Sequence, residues 1–106
     1  MKLKLEDNKN LNGFREVDGE IVDGTNFGIT KVCPSVYRII HIPSKLFMPG
    51  DYKAKKIAKQ CVNKIMEESD GVDWADEKIG LHFPEGKRIK TQEICKEFSQ
   101  SKVRIY

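Results

Sequence analysis

Apolar residues recur along this chain with two different periods. Up to Ile42 they come in short runs broken by Gly, Pro and Asp, the pattern of strands and turns. From about Ala54 they come at intervals of three and four, the pattern of a helix with one buried stripe. The runs of "FREVDGEIV" flank Asp18-Gly19, a two-residue signal for a β-hairpin. Asp23-Gly24 marks a second turn. Phe27 to Val32 then reads as a strand. Pro34 interrupts, and Ser35 to Ile42 reads as the most apolar strand of the chain. Alternation puts Val36, Arg38, Ile40 and Ile42 on one face and Tyr37, Ile39 and His41 on the other. Apolar groups on both faces predict a strand covered from both sides.

"PSKLFMP" predicts a loop with three large apolar side chains: Leu46, Phe47 and Met48. It reads either as a lid over the core or as an exposed contact patch. A helix is expected to start near Asp51, whose carboxylate suits the first turn, and to stop near Gly71. That span is about 19 residues. Ala54, Ile57, Ala58, Cys61, Val62 and Ile65 form its buried stripe. Lys56, Lys59, Gln60 and Asn63 point outward, flanked by Lys53, Lys55 and Lys64. "VDWADE" predicts a loop or short edge strand, and Trp74 within it suits a plug at the core edge or an interface anchor. Lys78 to Phe83 reads as a strand, and Pro84-Glu85-Gly86 as a turn. Thr91 would cap a second, shorter helix to about Ser101, with Ile94, Cys95 and Phe98 inside. "VRIY" supplies a last strand.

The order is β-β-β-β-α-β-α-β. It predicts one α+β domain over residues 1–106: a mostly antiparallel sheet of four to six strands covered by one long and one short helix. The stretch from Val36 to Phe83 is a candidate crossover between parallel strands. A length of 106 residues and a 39% apolar share allow one modest core. No apolar run is long enough for a membrane span, and the amino terminus lacks the apolar stretch of a secretory signal. Cys33, Cys61 and Cys95 are odd in number and far apart, which fits free thiols in a reducing cytoplasm.

The net charge of +3 conceals segregation. Residues 1–28 carry four bases and six acids, and residues 29–64 carry eight bases against Asp51 alone. Residues 65–77 hold six acids and no base, and residues 78–106 hold seven bases and three acids. The expected helix therefore carries lysines at its start and glutamates at its end, against its own dipole. A lysine-rich outer face is ordinary for a surface helix. It is also an electrostatic footprint for an acidic partner, either a protein surface or a nucleic-acid phosphate backbone. Lys53, Lys55, Lys56, Lys59 and Lys64, joined by Lys87, Arg88 and Lys90 of "EGKRIK", form that candidate partner-binding set.

This expectation makes the chain a small non-enzymatic binding protein, an inhibitor or regulator acting by surface occupancy. The alternative is a small metal-independent ribonuclease-like enzyme using His41 and His82, with Lys31, Arg38 or Tyr37 in support. It requires two neighbouring strands with both imidazoles on one face. No cofactor motif is present. Asp70, Asp73 and Asp76 are spaced by three rather than the two of a calcium loop, and Cys33, His41, His82 and Cys95 lack zinc-ligand spacing. "GLHFPEGK" has the wrong spacing for a phosphate loop.

Overall fold

The computed structural model describes residues 2–6, 13–69 and 71–99. Among the described residues it is an α+β fold of six antiparallel strands and three helices in three layers. The middle layer is a sheet of β3 (Glu20–Ile21), β4 (Phe27–Cys33), β5 (Val36–His41) and β6 (Leu46–Phe47), in that order. A separate hairpin of β1 (Lys2–Glu6) and β2 (Phe14–Asp18) lies on one side. Helices α1 (Lys55–Glu68) and α3 (Glu85–Phe98) lie on the other, with the one-turn α2 (Ile79–His82) between them in sequence.

β5 is the covered strand its alternation predicts. Ile39 joins Phe27 and Ile29 in the core under the helices, while Ile40 packs with Leu3 and Leu5 of the hairpin. α1 contributes Ala58, Cys61, Val62 and Ile65 to the helix-side core, as its stripe requires. The Asp23-Gly24 turn is present: Gly24 takes φ +74°, a conformation glycine reaches without strain, and Val22 N–H donates to Phe27 O at 2.9 Å.

Several expected elements differ. Asp18-Gly19 is a corner and not a hairpin turn. β2 before it pairs with β1, and β3 after it pairs with β4. Thr30 Oγ1 donates to Asp18 O at 2.6 Å and ties the corner to the sheet. Gly19 is needed for close approach, because a Cβ there would lie 2.5 Å from Leu3 Cδ1 and 2.8 Å from Ile29 O. The partner strand β1 carries its own signal: Lys2, Leu3, Lys4 and Leu5 alternate, with both leucines buried and both lysines exposed.

Asp51 does not cap α1. Tyr52 remains bridged to Tyr37 of β5, with Tyr37 N–H donating to Tyr52 O at 2.7 Å and Tyr52 N–H returning the bond at 2.8 Å. Asp51 meanwhile accepts from Arg38 Nε at 2.6 Å. The chain is thus still edge backbone at residue 52, and the helix begins at Lys55 with no side-chain cap. Lys78 to Phe83 is not a strand. Asp76 Oδ1 accepts from Lys78 N–H at 2.8 Å and Asp76 O from Ile79 N–H at 3.2 Å, which turns the backbone into α2. No parallel pair, and so no crossover, occurs among the described residues.

"EGKRIK" is helical and not a turn. Pro84 precedes the first helical residue, where a missing N–H costs nothing, and Arg88 N–H donates to Pro84 O at 2.9 Å. Thr91, the expected cap, lies inside α3 and is buried. α1 and α3 have 14 residues each, so the long and short helices are equal. The expected strand "VRIY" lies outside the described residues. No helix among the described residues is long and apolar enough to cross a membrane.

Candidate binding surface

The opposed charges of α1 have a tertiary explanation. The helix has no acid in its first turn and no base in its last. At its last turn, bases arrive from α3 instead. Lys87 Nζ donates to Glu68 O at 3.4 Å, and Lys90 Nζ lies 3.3 Å from a Glu68 carboxylate oxygen. Lys64 approaches the carboxylates of Glu67 and Glu68, each at 3.8 Å. Three ammonium groups from two segments therefore gather around Glu68. A free helix carboxyl end favours positive charge, and α3 supplies what α1 lacks.

The other end is organised differently. Helical geometry puts Lys55 and Lys59 on the flank opposite Lys64 and Glu68. Both reach Glu20 of β3, at 3.7 and 2.9 Å. The hydrogen bond from Lys59 and the charges of both lysines hold the Glu20 carboxyl below its ordinary range. Lys56, at the centre of the outer face, and Lys53, just before the helix, are exposed with no ion pair among the described residues. Among the described residues, the seven lysines of the set meet Glu20, Glu67 and Glu68 and outnumber these carboxylates by four. They form two clusters joined across α1. Arg88 departs from both, its guanidinium lying 5.4 Å from the Phe83 ring centre on the opposite side of α3.

That opposite side borders a cleft of about 170 Å³ between β6, α2 and α3. Phe47, Met48, Trp74, Ile79 and Phe83 line it, with Ser44, Gln92 and Arg88 supplying polar groups. Trp74 is buried, as a core-edge plug, and its Nε1 donates to Ser69 Oγ at 2.9 Å. Its ring meets Phe27 and Phe83 edge-on, with centroids 5.0 and 5.3 Å apart. Leu46 is exposed and Phe47 and Met48 half-buried, so "LFMP" is an edge strand open to solvent on one side.

The two histidines do not share a strand face. His41 is inside the core; its Nε2 bonds to Trp74 O at 2.6 Å and its Nδ1 to Ser44 Oγ at 2.7 Å. Burial pushes its pKa below the ordinary value. His82 is on α2, exposed, with Nδ1 2.7 Å from Asp76 Oδ2. The neighbouring-strand geometry that the ribonuclease-like reading needs is absent, because α2 is not a strand.

Cys61 and Cys95 lie together in the helix-side core near Tyr52, whose hydroxyl is 3.6 Å from Cys61 Sγ. The hydrogen bond to Cys95 and burial push the Cys61 thiol up, and burial does the same to Tyr52. Both thiols are fully buried, out of reach of solvent. Cys33 is exposed. Among the described residues, no three His, Cys, Asp or Glu side chains cluster as a metal site would require.

Sequence reasoning missed a second basic feature. A polar cleft between hairpin and sheet is lined by Lys2, Arg15, Lys31 and Arg38, together with Glu16 and Asp18. Lys2 pairs with Asp18 at 2.7 Å and Arg38 with Asp51, so much of this charge is internally answered. The β1–β2 pairing brings Lys2, Arg15, Glu16 and Asp18 together and the β4–β5 pairing brings Lys31 beside Arg38, and the alternation of "KLKLE" was the available clue to the first. Comparison of the chain with protein-family models, with curated proteins and with solved structures finds no match.

Proposed function

We propose that this is a non-enzymatic binding protein that covers an acidic surface on a larger protein, as an inhibitor or regulator. The observation that carries the reading is the gathering of Lys64, Lys87 and Lys90 at one end of α1, extended along that helix by Lys56 and by Lys55 and Lys59. The excess of positive charge supports steering toward an acidic partner. Two features favour protein over nucleic acid. Tyr52, the aromatic residue beside Lys53 in sequence, is fully buried and offers no ring for a base to stack on. Leu81 and Ile89 are exposed, at 82% and 54%, and Ile89 stands between Arg88 and Lys90 in α3. Exposed apolar groups among bases suit a protein interface. A reducing cytoplasmic setting is part of the same proposal, and the free cysteines support it.

The test compares two polyanions, poly-L-glutamate and random-sequence duplex DNA, against the wild type and the double variant Lys56→Glu, Lys90→Glu. The expected result is salt-sensitive binding of polyglutamate that the variant weakens about tenfold, equivalent to about 1.4 kcal/mol. Equal binding by the variant, or no binding of polyglutamate at low salt, overturns the proposal. Binding of DNA alone replaces the protein partner with a nucleic acid.

A further inference from the structure

We infer that Cys61 and Cys95 form a redox-sensitive lock between α1 and α3: a peroxide that reaches them joins the helices through a disulfide, and a thiol reductant releases it. The inference concerns the fold and stands apart from the binding-protein reading. Both cysteines are wholly buried, in the core where α1 meets α3. The Cys61 thiol is hydrogen-bonded to Cys95 across the two helices. The Tyr52 hydroxyl completes the group. It lies 3.6 Å from Cys61 Sγ and donates to Pro49 O at 2.8 Å. A bridge has only to bring the two sulfurs from hydrogen-bond contact to the separation of about 2 Å in a disulfide.

The way in runs past the end of α3. Cys95 lies one helical turn before Ser99, whose N–H donates to Cys95 O at 3.0 Å. The Ser99 hydroxyl bonds in turn to the backbone of Asp51. Gly50 fits closely here, since a Cβ would lie 2.9 Å from Ser99 Cβ and 3.1 Å from the Tyr52 hydroxyl. Residues 49–52 therefore pack between Ser99 and the phenol that contacts Cys61. Release of Ser99 from Asp51 opens this corner, and local opening needs less free energy than global unfolding.

The hydrogen bond from Cys61 draws the Cys95 thiol below its ordinary range, so Cys95 attacks first. Its sulfur takes one oxygen of hydrogen peroxide as the O–O bond breaks. The departing hydroxide collects the thiol proton and leaves as water. The Cys61 sulfur then attacks the sulfur of the resulting sulfenic acid, and the S–O bond breaks. That hydroxide leaves with the Cys61 proton as a second water. Two thiols are oxidised and one peroxide is reduced. Two molecules of a small thiol reverse the bridge by exchange and depart as their own disulfide. The bridge closes the loop from residue 61 to residue 95, which restricts the unfolded chain more than the folded one.

Cys33→Ser, at an exposed position, isolates the pair. Treated with hydrogen peroxide and then denatured, this variant should fall from two titratable thiols to none, and the wild type beside it from three to at most one. Peptide mapping should place the bridge between residues 61 and 95, and dithiothreitol should restore both thiols. At a fixed urea concentration, the bridged form should have an unfolding constant about a hundredfold below that of the reduced form. Ser99→Ala should speed bridging about tenfold, because it removes the bonds that hold residues 49–52 to α3. Two thiols surviving in the treated Cys33→Ser variant overturn the inference, as does their oxidation to sulfinic acids without a bridge. A bridge that forms only in urea high enough to unfold the chain, or that raises the unfolding constant, also overturns it. A bridging rate unchanged by Ser99→Ala overturns the entry past the end of α3.

Discussion

The two faces of the central sheet are built to different standards. On the helix face, Phe27, Ile29 and Ile39 meet four stripe residues of α1 and Ile94 and Cys95 of α3 in one continuous core. On the hairpin face, the buried set is Leu3, Leu5 and Ile40, with Val17, Ile42 and Phe47 at its margin. The first core joins segments from Val22 to Cys95. The second depends on one leucine fitted over two glycines, since Leu3 Cδ1 lies where a Cβ of Gly19 or Gly28 would come to 2.5 Å. Stability is expected to come mainly from the helix face, and positional specificity from the hairpin face.

The largest effect should follow a cavity under the helices. Phe27→Ala is expected to cost about 3–5 kcal/mol in urea unfolding. A loss no greater than that of Leu3→Ala would erase the distinction between the faces. Leu3→Ala should cost about 2–3 kcal/mol, because the small hairpin cluster can close over the space. Gly28→Ala sharpens the comparison. It should cost about 1–3 kcal/mol alone through overpacking. In the Leu3→Ala background it should cost little, since its other backbone neighbour, Glu20 O, stands off at 3.4 Å. Additive losses in that double-mutant cycle would mean that Leu3 does not fill the site above Gly28.

A smaller effect is expected with pH, through His41 of the helix face. His41 is buried with its pKa lowered, so the unfolded chain binds its proton more readily. Its contribution is complete above the unfolded value of 6.5 and is lost as pH falls through the lower folded value. The urea midpoint of the wild type should drop as pH falls from 6.5 toward the lower folded value and level off beneath it, and His41→Gln should flatten the slope in that window. An unchanged slope would show that His41 titrates normally in the fold. The smallest effect belongs to the surface. Glu20→Gln releases Lys55 and Lys59, yet exposed ion pairs contribute only about 0–1 kcal/mol. Its stability should barely move, while polyglutamate binding should rise as a competing carboxylate is removed.

The sheet and the stripe of α1 were legible because each is a local periodicity. β5 shows this best: its two-faced apolar pattern states that both sides are covered, without saying by what. Legibility failed where tertiary bonds override local preference. Asp51 is a good capping residue, but Arg38 and the Tyr37–Tyr52 bridge hold it in the edge. Asp18-Gly19 is a good hairpin signal, but the alternative partner β1 claims β2. "KIGLHF" is short enough for either state, and the Asp76 turn decides it. The lysines of the candidate surface were readable one by one. Their division into two clusters around Glu20 and Glu68 was not, because it depends on which neighbours α1 acquires. The cleft was the least visible feature, since its lining comes from three separated segments with no shared pattern.

The Ser99 hydroxyl both accepts from Asp51 N–H at 3.1 Å and donates to Asp51 O at 2.9 Å, which clasps the end of α3 to the entry of α1. During synthesis the β5 edge and the start of α1 leave the ribosome well before Ser99 does. That seam is therefore completed only after translation has passed the last turn of α3. A chain ending just short of Ser99 should expose the Tyr37–Tyr52 edge to protease, and the full chain of 106 residues should protect that edge.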